Sequence, residues 1–168
     1  MNRKNIILCG FMGCGKSTVG TLLSRKTGMS FIDLDNYIEK KEGKTISEIF
    51  QDSGEAYFRQ LEREAAKELS KKNGLVIAAG GGTLTYPENA EAFRSTGRVV
   101  LLDIPVAVVS ERLKNDTTRP LLNRPDKDKA IQELYEKRLP LYERAADIKV
   151  NADQSPMQVC TEIIASIS

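Results

Sequence analysis

Close to the start of the chain, Gly10-Phe11-Met12-Gly13-Cys14-Gly15-Lys16-Ser17 satisfies the pattern G-x-x-x-x-G-K-[ST], directly after an apolar run and directly before a segment of helical period. Glycines at this spacing let the backbone curl until several N–H groups and a helix N-terminus point at one anion. Lys16 then reaches the outer phosphates of a nucleotide, and Ser17 offers a hydroxyl to Mg²⁺. Gly13, Cys14, Gly15, Lys16, Ser17 and Thr18 are therefore the candidate contacts to ATP. Lys16 and the helix amides could favour a thiolate at Cys14; simple space filling is the alternative.

The chain contains no histidine, so the usual neutral-pH base and the commonest metal ligand are both missing, and a base must be Asp, Glu or Lys. Asp33 and Asp35 close the run Phe31-Ile32-Asp33-Leu34-Asp35, where a spacing of two on an extended segment places both carboxylates on one face. Asp33 would suit the hydration shell of a metal, and Asp35 could take the proton of an attacking hydroxyl or merely cap the next helix. Arg59 and Glu62 fall three apart in a helical pattern, either a braced clamp for an anion or surface decoration. The apolar run Leu75 to Ala79 ends in Gly80, Gly81 and Gly82, a sequence suited to a tight turn or to close approach of backbone to a ligand. Arg119 lies between Asp116 and Asp126, a stretch with two prolines that reads as a mobile loop able to swing a cation over a transferring phosphoryl group, or as a solvated loop. Arg138 offers a second guanidinium for an anionic substrate. Asp103, at the end of an apolar run, superficially fits a Walker B aspartate; capping of the following helix suffices to explain it.

These residues need a scaffold that gathers the ends of several strands. Asn5 to Cys9, Ser30 to Ile32, Leu75 to Ala79, Arg98 to Leu102 and Ile148 to Val150 read as strands. Lys16 to Lys26, Asp35 to Lys41, Ile46 to Phe50, Gly54 to Lys71, Glu88 to Arg94, Val106 to Leu113, Lys127 to Ala145 and Met157 to Ile167 read as helices, with Thr45 and Glu48 as a capping-box pair. The alternation predicts a three-layer α/β fold, a parallel sheet between helices with ligands beyond the carboxyl ends of the strands.

A chain of 168 residues, 40% apolar and 29% charged, is expected to form one domain. A net charge of +2 with scattered basic residues argues against a nucleic-acid partner. No apolar run approaches the roughly 20 residues of a membrane span, and the apolar stretch at the start is too short for an export signal, so a cytoplasmic location is expected. Cys9, Cys14 and Cys160 are odd in number and without CxxC spacing, which predicts free thiols.

Taken together, GFMGCGKST, FIDLD, GEAYFRQLE, AAGGGT, TTRPLL and KRLPLY resemble the shikimate kinase family in identity, order and spacing over nearly the whole chain. The resemblance implies a P-loop fold of the nucleoside-monophosphate-kinase type, with a five-stranded parallel sheet, a substrate-binding region at about 34–60 and a closing lid at about 112–126. It implies phosphorylation of the 3-hydroxyl of shikimate by MgATP, on the route to chorismate and the aromatic amino acids; a monomer is expected. Asp35 would deprotonate the hydroxyl, Arg59 and Arg138 would grip the substrate carboxylate, and Glu62 would position Arg59. Gly80, Gly81 and Gly82 would line the same pocket. Lys16 and Arg119 would stabilise the transferring group, Ser17 would ligate Mg²⁺ with Asp33 acting through water, and Arg112 and Pro156 would sandwich the adenine. Other small-metabolite or nucleotide kinases share the P-loop and lid but need different acceptor contacts, and a nucleotide-dependent switch would have no use for Asp35.

Overall fold

The computed structural model describes residues 4–117, 119, 122 and 124–167. Five strands, β1 (Asn5–Cys9), β2 (Ser30–Asp33), β3 (Leu75–Ala78), β4 (Gly97–Asp103) and β5 (Ile148–Asn151), form one parallel sheet in the order β2-β3-β1-β4-β5. Among the described residues seven α-helices flank it: α1 (Lys16–Thr27), α2 (Leu34–Glu42), α3 (Ile46–Ser70), α4 (Pro87–Arg94), α5 (Val106–Leu113), α6 (Lys127–Ala145) and α7 (Pro156–Ile167). The expected three-layer α/β architecture is the one observed. Among the described residues no helix is long and apolar enough to cross a membrane.

Every residue of β1 and β3 is buried, as befits strands covered by helices on both faces. The polar exception is Asn5, which has no exposed surface: its Nδ2 donates to the Lys72 carbonyl at 2.8 Å and its Oδ1 accepts from the Leu75 amide at 2.9 Å. One side chain thus ties the start of β1 to the start of β3. Because the chain fills β2 and β3 on one side of β1 before crossing to β4 and β5, the carboxyl ends of β1, β2 and β3 open side by side next to the switch in strand order, where α/β sheets bind ligands.

Several local expectations shift. Asp35 does not lie on an extended segment with Asp33, because β2 ends at Asp33 and α2 begins at Leu34. The two expected helices, Ile46 to Phe50 and Gly54 to Lys71, are by contrast both present: they meet at a kink at Gly54 (φ 84°, ψ 172°), where a positive φ suits glycine and breaks the helical ladder, and together they make up α3. Thr45 and Glu48 do make the capping box that starts it. Asp103 caps nothing: Pro105 occupies the N-cap position of α5, and the Asp103 carboxylate instead faces Lys149 at 3.8 Å. Of the expected loop and lid, residues 118, 120, 121 and 123 lie outside the described residues.

Asn5→Ala removes two buried hydrogen bonds and strands the amide of Leu75, so urea denaturation should show a loss of about 2–3 kcal/mol. A loss below about 0.5 kcal/mol would show that the tie between β1 and β3 is dispensable.

Candidate functional site

The loop between β1 and α1 is built to hold an anion. Gly15, at φ 92° and ψ 21°, occupies the N-cap position of α1 with no side-chain cap, so the first amides of the helix are left to a ligand rather than to a neighbouring side chain. The Lys16 ammonium arches over the loop and donates to the Gly10 carbonyl at 2.5 Å and the Phe11 carbonyl at 3.5 Å. A cavity of about 230 Å³ runs along Gly13 to Thr18, with Ala78 and Ala79 of the β3 end as its other wall. Cys14 contributes to this wall while remaining 2% exposed, so its thiol fills space, as do the free and buried thiols of Cys9 and Cys160. Burial pushes the Cys9 thiol up to about 12, far from reactivity at neutral pH.

Asp33 takes the capping role that the sequence left open for Asp35: its Oδ1 accepts from the Asn36 amide at 3.1 Å. Its Oδ2 accepts from the Ser17 hydroxyl at 2.8 Å, which brings a hydroxyl and a carboxylate together at the mouth of the phosphate cavity. Asp35 sits in the first turn of α2, freed from capping. Burial, together with the nearby charges of Glu62 and Asp33, pushes its carboxyl up to about 6 against the opposing pull of Lys16 and Arg119.

A second cavity, of about 480 Å³, adjoins the first; Met12, Asp33, Asp35 and Arg119 line both. Its remaining walls include Glu39, Phe50, Phe58, Gly81, Gly82 and Arg138. Side chains press closely on the three glycines, so that a Cβ at any of them would push on a neighbouring polar side chain. A Cβ on Gly80 would stand 2.9 Å from Asp35 Oδ1, 2.9 Å from Thr83 Oγ1 and 3.0 Å from Glu62 Oε2, and one on Gly82 would stand 2.5 Å from an Arg59 nitrogen. The Arg138 guanidinium is buried beside Gly81, and its Nη1 has no hydrogen-bond partner among the described residues.

Arg59 stands behind Gly82 without lining the cavity itself, because Glu62 holds Nη1 at 2.5 Å and Glu55 holds Nε and Nη2 at 3.3 and 3.2 Å. The pair expected from the spacing of Arg59 and Glu62 is therefore made, and it is interior: Glu62 has no exposed surface and accepts a second hydrogen bond from the Thr83 hydroxyl. The role of Thr83 was not anticipated; only its place after the glycines marked it. Arg119 lies 3.4 Å from Asp116. Arg112 donates to the Gly13 carbonyl at 2.8 Å and so braces the phosphate loop, while Pro156 opens α7 and lines neither cavity.

Comparisons with known proteins agree with this geometry. The family model described as "Shikimate kinase" matches residues 12–168. The chain is 46% identical over 165 residues to the shikimate kinase of Sulfurihydrogenibium sp. (strain YO3AOP1), covering 98% of both chains. Among solved structures it is similar to shikimate kinase from Acinetobacter baumannii in complex with shikimate (37% identity, TM-score 0.94, covering 98% of this chain and 93% of that one). It is also similar to shikimate kinase from Aquifex aeolicus (46% identity, TM-score 0.85, covering 97% and 95%). A phosphate-cradling loop, a buried carboxylate shared between two cavities and a match along almost the entire length place this chain in the shikimate kinase family, phosphotransferases that phosphorylate shikimate.

Proposed function

We propose that the chain transfers the terminal phosphoryl group of ATP to the 3-hydroxyl of shikimate, giving shikimate 3-phosphate and ADP, a step towards chorismate and the aromatic amino acids. The observation that carries this reading is that Asp35 and Arg119 line both cavities, so a base and a cation stand where acceptor and phosphoryl donor must meet. Asp35 takes the hydroxyl proton as the oxygen attacks the γ-phosphorus and the bond to the β-phosphate oxygen breaks. Lys16 leaves the Gly10 carbonyl for the outer phosphates, and Arg119 stabilises the transferring group from the lid side. Arg138, with a buried nitrogen that has no hydrogen-bond partner among the described residues, meets the substrate carboxylate, and Arg59 exchanges Glu55 for the same anion while Glu62 keeps its grip.

The paired oxygens of Ser17 and Asp33 are hard ligands that fit Mg²⁺, an ion that takes few protein ligands and completes its shell with phosphate oxygens and water. When bound there, Mg²⁺ would neutralise charge on the phosphates. Ser17 would ligate it directly and Asp33 through water. Arg112, already against the phosphate loop, and Pro156 would flank the adenine. We place this activity in a monomer of one domain in the cytoplasm, with the substrate-binding region at about 34–60, the lid at about 112–126, and no nucleic-acid or membrane partner.

An acceptor panel of shikimate, gluconate and nucleoside monophosphates in a coupled ADP-release assay should show turnover with shikimate and Mg²⁺ alone; ADP release independent of any acceptor would overturn the assignment. Asp35→Asn should lower turnover by about 10³-fold while ATP affinity stays within about twofold, as titration of the variant would show. For Arg59→Ala, calorimetry should find shikimate binding weakened about 10- to 100-fold, and normal affinity would remove Arg59 from the clamp. The raised pKa of Asp35 also has a signature in folding. The folded state holds its proton more tightly than the unfolded chain, so the charged carboxylate destabilises the metal-free protein at pH values above about 6, and this penalty fades as pH falls towards 3.8. Metal-free Asp35→Asn should therefore be more stable than the parent at pH 8, by on the order of 3 kcal/mol, with the advantage lost at pH 4. A difference independent of pH would show that Asp35 is not strained by burial.

A further inference from the structure

Tyr142 belongs to the KRLPLY segment but has no part in the scheme above. Its ring is buried at 2% exposure, and its hydroxyl donates to the carbonyl of Gly81, the middle glycine of the acceptor cavity, 61 residues away in sequence. A phenylalanine would satisfy the packing. The hydroxyl must therefore be explained by its polar neighbours, the Gly81 carbonyl to which it donates and the Arg138 guanidinium that interacts with it. Burial pushes the phenol far above its ordinary range, so it remains a donor at any working pH.

Arg138 lies one helical turn before Tyr142 on the same face of α6 and is near enough for its charge to be felt at the hydroxyl. Arg138 Nη1 stands 3.0 Å from where a Cβ on Gly81 would be, beside a cavity that Arg138 and Gly81 line together, and this nitrogen has no hydrogen-bond partner among the described residues. The Phe11 ring, 6.0 Å from the guanidinium, backs it from another side. Between the two residues lies Pro140, which has no N–H to donate to the carbonyl four residues earlier, so the helix is least supported by its own ladder where Arg138 must be held.

We propose that Tyr142 is a positioning residue for the substrate carboxylate: by fastening the Gly81 peptide to α6 across the Pro140 gap, it keeps the free nitrogen of Arg138 aimed into the acceptor cavity. The inference rests on the assignment of shikimate as acceptor. It makes Tyr142 a determinant of affinity for an anionic acceptor, acting through Arg138 and Gly81 without touching the reacting atoms.

The test is steady-state kinetics of Tyr142→Phe with shikimate and with its uncharged methyl ester, alongside thermal unfolding. The expected result is a KM for shikimate raised about 10-fold, with kcat and the KM for ATP within about twofold and the KM for the ester unchanged, so that preference for the acid over the ester collapses. A merely structural role would raise both acceptor KM values together, and that outcome, or an unchanged KM for shikimate, overturns the proposal. 4-Aminophenylalanine at position 142 keeps both ring and donor and should restore the parental KM; failure to do so in a folded variant overturns it as well. If the parent chain does not phosphorylate shikimate at all, the functional assignment falls first and carries this inference with it.

Discussion

The acceptor side of the site is organised around a negative charge kept out of water. Glu62 has no exposed surface, yet both of its oxygens are occupied, one by the Arg59 guanidinium and the other by the Thr83 hydroxyl. Taking away one partner of such a charge typically costs about 3–5 kcal/mol, because the other is left buried and uncompensated. Arg59 is thereby held in one place and kept from collapsing across the cavity. The same charge helps to raise the pKa of Asp35, so the group that orders Arg59 also tunes the carboxyl proposed as the base. The oxygens of Asp35, Glu62 and Thr83 all converge within 3.0 Å of the space beside Gly80, so a side chain at this position would have to displace them.

A chain without histidine needs another group that can accept a proton near neutral pH. In the proposed mechanism burial supplies it, by making the Asp35 carboxylate a better base than it would be in water. That solution works only if the carboxylate is held out of solvent but close to cations, and the parallel sheet meets both demands. β1 delivers the phosphate loop, β2 delivers Asp33 and then Asp35 across the strand-to-helix boundary, and β3 delivers the glycines. Asp33 is central to this division of work. By capping α2 and accepting from Ser17, it leaves Asp35 free to line both cavities and couples the phosphate loop to the start of α2.

Helix α6 joins the two halves from the other side. Arg138 and Tyr142 both reach towards Gly81, and Tyr135, on the same helix, donates to the Ile104 carbonyl just past the end of β4. Arg112 at the end of α5 binds the Gly13 carbonyl, so the phosphate loop is steadied by an element more than ninety residues downstream. The chemistry of the site is thus distributed among strand ends, while its rigidity comes from helices late in the chain.

The phosphate loop, the five strands and the capping box of α3 were legible in the sequence because each depends on residues within a few positions of one another: glycine spacing, period-two or helical apolar patterns, and a hydroxyl three residues before an acid. The Arg59 and Glu62 pair was legible for the same reason, being one helical turn apart. What spacing alone left open was whether that pair lay on the surface or inside, and whether Asp35 capped α2 or served as a base. It also carried no sign that Thr83 completes the shell of Glu62, that Tyr142 holds Gly81, or that Asp103 faces Lys149. Those partnerships span 21, 61 and about 46 residues, and a periodic pattern encodes the local state of the backbone, not which distant side chain it will meet. Only the order of strands in the sheet and the packing of helices on it decide that, since they alone determine which buried polar groups must satisfy one another.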